Sequence, residues 1–102
     1  MRLLVFFDLP METAAQRKVY RQFRKFLIKD GFLMQQKSVY SKMVLDAQVA
    51  EAVMARLRKN KPKYGLVQVL KVTEKQFAAI ESIAGEAITH NEIDSEEKLI
   101  IL

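Results

Sequence analysis

Apolar and polar positions divide the chain into short segments, and the first is an unbroken apolar run, Leu3–Phe7. This run ends at Asp8, and Pro10 follows two residues later. An apolar run of this length, bounded by a turn signal, is typical of a strand buried on both faces of a sheet. Because proline cannot donate to a sheet ladder, we expect the strand to end near Asp8.

A long amphipathic helix is predicted next. Residues 13–16, Thr-Ala-Ala-Gln, have the spacing of a capping box, and Gly31 is a natural C-terminal stop after Asp30. At 100° per residue, the apolar and the basic side chains fall on opposite arcs. The apolar arc consists of Val19, Tyr20, Phe23, Phe26 and Leu27, and the basic arc of Arg17, Lys18, Arg21, Arg24, Lys25 and Lys29.

An extended region and a second helix follow. Residues 32–45 are long for one strand, so they form either a bent strand or two strands joined by a tight turn. Asp46 can cap a helix that runs from Ala47 to about Lys59. The residues of this helix predicted to face inward are Val49, Val53, Met54 and Leu57.

The last part of the chain predicts two more strands and a short helix. Residues 66–72 form a strand, and a second capping box at residues 73–76 begins a short helix that stops at Gly85. An acidic loop then leads to a final strand over residues 98–102. The apolar residues of the short helix are Phe77, Ile80 and Ile83.

The order of elements predicts an α+β ferredoxin-like sandwich in a single domain, residues 1–102. Residues 1–85 would form the core, and residues 86–102 the acidic loop and the extra C-terminal strand. Two helices on one face leave the other face of the antiparallel sheet exposed. A homodimer in which the last strand joins the partner's sheet would cover this exposed face and also pair the C-terminal strand. The alternative is that this strand folds back onto its own sheet.

The composition limits the number of domains, the possible site chemistry and the cellular location. At 102 residues, half of them hydrophobic, the chain is large enough for one core and too small for two. The absence of cysteine excludes disulfides, thiolate zinc sites and cysteine nucleophiles. We find neither a signal-type segment nor an apolar stretch long enough to span a membrane, so we expect a soluble cytoplasmic protein.

The charge is unevenly distributed along the chain. Residues 1–63 carry 14 Lys and Arg against 5 Asp and Glu, a net +9, whereas residues 64–102 carry 3 against 7, a net −4. A basic body indicates a polyanionic partner, and the alternative is a solvated face without one. The six cations of the first helix repel one another at i,i+3 and i,i+4, so we favour phosphate contact.

Few residues offer catalytic chemistry. His90, the only histidine, lies in the acidic tail, where we expect a surface residue. Ser38 and Ser41 lack a local base, which argues against a serine nucleophile. Ser38 and Tyr40 share a strand face, where they either occupy ordinary sheet positions or bond phosphate or the neighbourhood of Asp8.

Asp8 is the remaining candidate, and two interpretations of it are open. It caps the turn into the next helix, or it binds a metal ion. A single carboxylate is a poor site, because Mg²⁺ prefers one or two carboxylates together with water and phosphate oxygens. Two Asp8 residues brought together across a twofold axis would make a better site, which could activate water against a phosphodiester.

Five segments together resemble the CRISPR-associated protein 2 family, in the form found in type II systems. They are residues 5–10 (VFFDLP), 23–27 (FRKFL), 31–32 (GF), 38–42 (SVYSK) and 73–77 (TEKQF), in the same order over nearly the whole chain. The resemblance implies a ferredoxin-like homodimer whose C-terminal strands help to tie the subunits together. It also implies a metal-dependent endonuclease in which Asp8 is the ligand of Mg²⁺, or alternatively of Mn²⁺.

The same resemblance implies a role in spacer acquisition, in which the homodimer bridges two dimers of the CRISPR-associated integrase. Its basic surfaces would hold double-stranded DNA, both prespacer and repeat, by the backbone, with RNA as the alternative nucleic acid. The positions that it assigns to phosphate contact are Arg17, Arg21, Arg24 and Lys25, followed by Lys37, Lys42, Arg58, Lys59, Lys61 and Lys63.

Three functional hypotheses remain. In the first, which we favour, the protein is an adaptation scaffold for duplex DNA and integrase, and its nuclease activity is dispensable. In the second, it is a Mg²⁺-dependent nuclease that uses Asp8 and its dimer mate. In the third, it is a toxin-like metal-dependent endoribonuclease that acts alone, again with catalysis at a strand-end aspartate.

Overall fold

A computed structural model describes residues 1–86, and the predicted acidic loop and last strand lie outside them. The strands lie in the order β2-β3-β1-β4, and every neighbouring pair is antiparallel. This topology is the predicted α+β ferredoxin-like sandwich. The elements are β1 (Arg2–Asp8), α1 (Ala14–Lys29), β2 (Leu33–Gln36), β3 (Val39–Met43), α2 (Ala47–Lys59), β4 (Leu66–Val72) and α3 (Glu74–Ala78).

The hydrophobic core lies between α1, α2 and one face of the sheet. Alternate residues of β1 supply its centre, because successive side chains of a strand point to opposite faces. The ring of Phe7 meets that of Phe23 edge-on, with 5.3 Å between their centroids. The other buried members of this core are Leu3, Val5, Leu9, Leu27, Phe32, Tyr40, Val44, Ala50, Val53 and Leu57.

The opposite face of the sheet is open around Phe6 and Asp8, although Leu4 on the same side of β1 is buried, so the expectation that β1 is buried on both faces holds only in part. Phe6 is 37% exposed, because α1 and α2 pack against the other face. In register, Phe6 pairs with Gln68, and Leu4 pairs with Leu70. The open face is defined here by its exposed apolar residues, Phe6, Leu33, Met43, Leu66 and Leu70.

Residues 32–45 form two strands, which decides between the two predicted alternatives. The polar residues between them, Lys37 and Ser38, make the turn, and the pairing register shifts between Met34 and Gln36. A turn without glycine or proline leaves no strong sequence signal.

Two details of the helices differ from the prediction. In α2, Val53 and Leu57 are buried as predicted, whereas Val49 is 39% exposed, because Ala50 lies on the arc of Val53 and Leu57 and is buried in its place. Helix α3 ends at Ala78, so Ile80 and Ile83 lie beyond it and are exposed. Within the described residues, no helix is long and apolar enough to cross a membrane.

Candidate nucleic-acid interface and strand-end carboxylate

Asp8 is the last residue of β1, and its side chain is exposed on the open face. It pairs in register with Leu66 and borders a cavity of about 210 Å³ together with Phe6, Val39 and Gln68. Among residues 1–86, none of the ion pairs involves the Asp8 carboxylate. Helix α1 is capped by Thr13 and not by Asp8, so the capping interpretation does not account for this side chain.

The end of β1 is held by backbone contacts on two sides. The Phe7 N–H donates to the Ser38 carbonyl over 3.0 Å. On the other side Gly65 has a φ of +93°, and a Cβ there would lie 2.5 Å from Leu9 Cδ2 and 2.9 Å from the Asp8 carbonyl oxygen. Only glycine fits this close approach without strain. The sequence pattern alone carries no signal that Gly65 supports the end of the strand at Asp8.

The Asp8 carboxylate alone does not complete a magnesium site. No group of three or more His, Cys, Asp or Glu within residues 1–86 could hold a metal. A single exposed carboxylate suits Mg²⁺ when water, phosphate oxygens or a second carboxylate complete the coordination. A second copy of the chain, packed on the open face, could supply that carboxylate.

The hydroxyl residues near the strand end do not join Asp8 as a group. Ser38 lies in the turn before β3 and borders the Asp8 cavity. Tyr40 faces the helices, is fully buried and accepts a hydrogen bond from Arg24 Nε over 2.9 Å, so it does not bind phosphate near Asp8. Ser41 is also buried and accepts from Gln35 Nε2. His90 lies outside the described residues.

The outer side of α1 carries exposed cations. Lys18, Arg21 and Lys25 border a groove of about 520 Å³, together with Arg24 and Ile28. Among residues 1–86, none of the ion pairs involves these cations. Their mutual repulsion therefore has no local compensation, as the sequence predicted.

The loop after α2 extends this charge. Lys61 and Lys63 border a second cavity, of about 270 Å³, with the α1 residues Phe23 and Phe26. Gln22 borders both the groove and this cavity, so the two sets of cations are neighbours. We define the basic surface as Lys18, Arg21, Lys25, Lys61 and Lys63.

The other predicted phosphate ligands are placed differently. Arg24 borders the groove but also bonds Tyr40. Lys37 and Lys59 are exposed and border neither cavity. Three further cations have protein partners: Arg17 donates to the Met11 and Glu12 carbonyls, Lys42 contacts Asp30, and Arg58 pairs with Glu51.

Asp30 forms ion pairs with two basic residues. Its carboxylate is 11% exposed and lies 2.7 Å from Arg56 Nε and 3.4 Å from Lys42 Nζ. The hydrogen bond to Asp30 raises the pKa of Arg56 above its ordinary value. Lys42 and Arg56 therefore join β3 and α2 to the end of α1, which makes Lys42 a structural residue.

The chain matches the family model described as CRISPR associated protein Cas2 over residues 1–80. The chain belongs to this family. A protein of Treponema denticola named CRISPR-associated endoribonuclease Cas2 is 52% identical over 102 residues, which cover both chains completely. A Streptococcus mutans protein of the same name is 47% identical over 102 residues, covering all of this chain and 93% of its own.

The family likeness extends to a solved structure. The crystal structure of Streptococcus pyogenes Cas2 at pH 6.5 superposes with a TM-score of 0.63 at 25% identity, covering 82% of this chain and 100% of that one. The residues matched by the family model include Asp8, α1 and both lysines of the loop after α2. The matched range therefore includes both the strand-end carboxylate and the basic surface.

Proposed function

We propose that this chain is a spacer-acquisition subunit of a CRISPR system, which holds duplex DNA by its backbone as a homodimer and bridges two integrase dimers. The observation that carries the proposal is the basic surface, which has no ion-pair partner within residues 1–86. Exposed Lys and Arg side chains contact phosphates without selecting a sequence. A scaffold for arbitrary DNA needs this kind of binding.

The open face supports the homodimer. Five large apolar residues are exposed there, and β4 is an edge strand within the described residues. A contiguous apolar patch and an unpaired strand edge both favour association with another chain. A second copy packed on this face would bury its apolar residues and bring a second Asp8 toward the first.

A salt titration of duplex binding tests the DNA proposal. The triple variant Lys18→Ala/Arg21→Ala/Lys25→Ala should bind a fully paired DNA duplex more weakly and reduce the slope of log K against log salt by about three. Arg58→Ala is the matched control, because its partner Glu51 already offsets this exposed cation. An unchanged slope in the triple variant would place DNA binding elsewhere.

Co-purification with a CRISPR-associated integrase tests the proposed partner. We expect the chain and the integrase to elute as one complex, and the duplex to bind this complex more tightly than either protein alone. Separate elution at micromolar concentrations would contradict the bridging role and leave the DNA proposal standing.

Metal-dependent endonuclease activity at Asp8 is a second candidate function. It is favoured by the exposed, unpaired carboxylate at the strand end and by the name endoribonuclease of the relatives, which makes RNA a substrate to test beside DNA. Mg²⁺ or Mn²⁺, when bound, would activate water and offset phosphate charge. The chain itself would orient the Asp8 carboxylate through the backbone contacts of Ser38 and Gly65.

A further inference from the structure

The cavity between α1 and the loop after α2 has an apolar floor and a polar rim. Its volume is about 270 Å³, and Val19, Phe23 and Phe26 form the floor. The rings of Phe23 and Phe26 are tilted by only 29°, with 6.3 Å between centroids. Phe23 is buried, whereas Val19 and Phe26 are half-buried, so Phe26 supplies the aromatic ring of this floor that a ligand can reach.

The rim combines positive charge with free hydrogen-bonding groups. Lys61 and Lys63 are exposed, and none of the ion pairs within residues 1–86 involves them. Asn60 donates through Nδ2 to the Arg56 carbonyl, which leaves its amide oxygen as an acceptor. Gln22, on the opposite rim, is exposed. An aromatic floor bordered by ammonium and amide groups matches a ligand that has a flat base and a phosphate.

We propose that this cavity binds one unpaired nucleotide of a bound nucleic-acid strand. The base would stack on Phe26, its phosphate would lie between Lys61 and Lys63, and the amides of Gln22 and Asn60 would contact the base edge. A base within a duplex has both faces stacked and cannot enter, whereas an unpaired base can. The cavity lies below the range of about 300–1,000 Å³ that larger ligands occupy, so it suits a single unit.

This inference rests on the proposed nucleic-acid binding and deepens it. The cavity shares Gln22 with the groove that carries Lys18, Arg21 and Lys25, so a duplex held on the basic surface passes beside it. An unpaired nucleotide next to that duplex would then be captured without losing the backbone contacts. Because every base has a flat face, the preference is for unpaired structure and not for sequence.

Two DNA duplexes test the inference with the whole chain. They share one sequence, and one carries three additional unpaired thymidines in the middle of one strand. We expect the bulged duplex to bind about tenfold more tightly at the same salt concentration, within what base–aromatic stacking supplies. Equal binding of the two would overturn the inference while leaving the proposed function intact. Failure to bind either duplex would count against the proposed function itself.

Variants at Phe26 separate ring stacking from general packing. Phe26→Leu keeps apolar volume but removes the ring, so the tenfold preference should disappear while the paired duplex binds as before. Phe26→Tyr keeps the ring and should keep the preference. Melting temperatures of both variants establish that they fold. A preference that survives in Phe26→Leu would contradict stacking at this position.

Photocrosslinking of the unaltered chain gives a second measurement that does not depend on folding of a variant. With 5-iodouracil in place of the unpaired thymines, we expect the crosslinked peptides to contain Phe26 or residues 60–63. Crosslinks confined to other regions would overturn the site. Free thymidine monophosphate distinguishes a site for a free nucleotide from a site for a nucleotide within a strand. If thymidine monophosphate binds, and the bulged duplex binds no more tightly than the paired duplex, the assignment to a strand is overturned.

Discussion

At the scale of single residues, the surroundings of Asp8 restrict its role more than its position in the sequence does. It is exposed, it has no cation partner within residues 1–86, and it points to the open face. The basic arc of α1 lies on the other side of the sheet from this carboxylate. Duplex binding and metal-dependent cleavage should therefore respond to different substitutions.

The variant Asp8→Asn tests this separation. It keeps the size of the side chain and removes the charge that would bind Mg²⁺, so metal-dependent cleavage of RNA or DNA should fall to background. Duplex affinity and melting temperature should stay unchanged, because the carboxylate has no described partner to lose. Cleavage that persists in Asp8→Asn, after purification away from contaminating nucleases, would contradict the assignment of Asp8.

Gly65 allows a test of how the strand end is supported. Gly65→Ala places a Cβ against Leu9 and the Asp8 carbonyl at a positive φ, whereas Gly85→Ala, also at a positive φ, meets nothing within 4 Å. The first variant should lose at least about 1 kcal/mol more unfolding free energy than the second in urea titrations. Equal losses would show that the close approach at Gly65 is unimportant.

At the scale of elements, Asp30 couples the end of α1 to β3 and α2. A carboxylate at a helix C-terminus is unfavourable beside the helix dipole, and here Lys42 and Arg56 offset it. Asp30→Asn should leave both cations without their anion and lower the unfolding free energy by about 2 kcal/mol.

Asp46→Asn is the matched control for that prediction. Asp46 caps α2 by accepting from the Val49 N–H, and asparagine caps helices about as well as aspartate. Its effect in the same urea titration should stay below about 0.5 kcal/mol. An equal effect of the two substitutions would mean that the Asp30 ion pairs add nothing specific.

The sequence predicted elements whose signals are local. The capping boxes at Thr13 and Thr73 are both formed, and the basic and apolar arcs of α1 are as expected. It failed where the outcome depends on neighbours. The burial of Ala50 in place of Val49 follows from the packing of α2 against the core. The ion pair of Lys42 with Asp30 joins segments distant in sequence. Arg58 pairs with Glu51 two turns earlier on the same helix.

At the scale of the whole molecule, the open face is the feature that a single chain leaves unexplained. Leu70, on the open face, is 52% exposed in β4. Leu45, which is not part of the open face, is 87% exposed just before α2 and provides the control. Leu70→Lys should convert a dimer into a monomer when mass is measured by light scattering, because it places a charge on the proposed interface. Leu45→Lys should remain a dimer. A dimer that survives in Leu70→Lys would place the interface elsewhere.

The account's central claim is that the chain acts in spacer acquisition by holding DNA on its basic surface, with any cleavage at Asp8 dispensable. Counting newly acquired spacers in cells tests this most directly. The triple variant Lys18→Ala/Arg21→Ala/Lys25→Ala should lose acquisition, whereas Asp8→Asn should acquire spacers at the unaltered rate. Loss of acquisition in Asp8→Asn, with normal acquisition in the triple variant, would contradict the account.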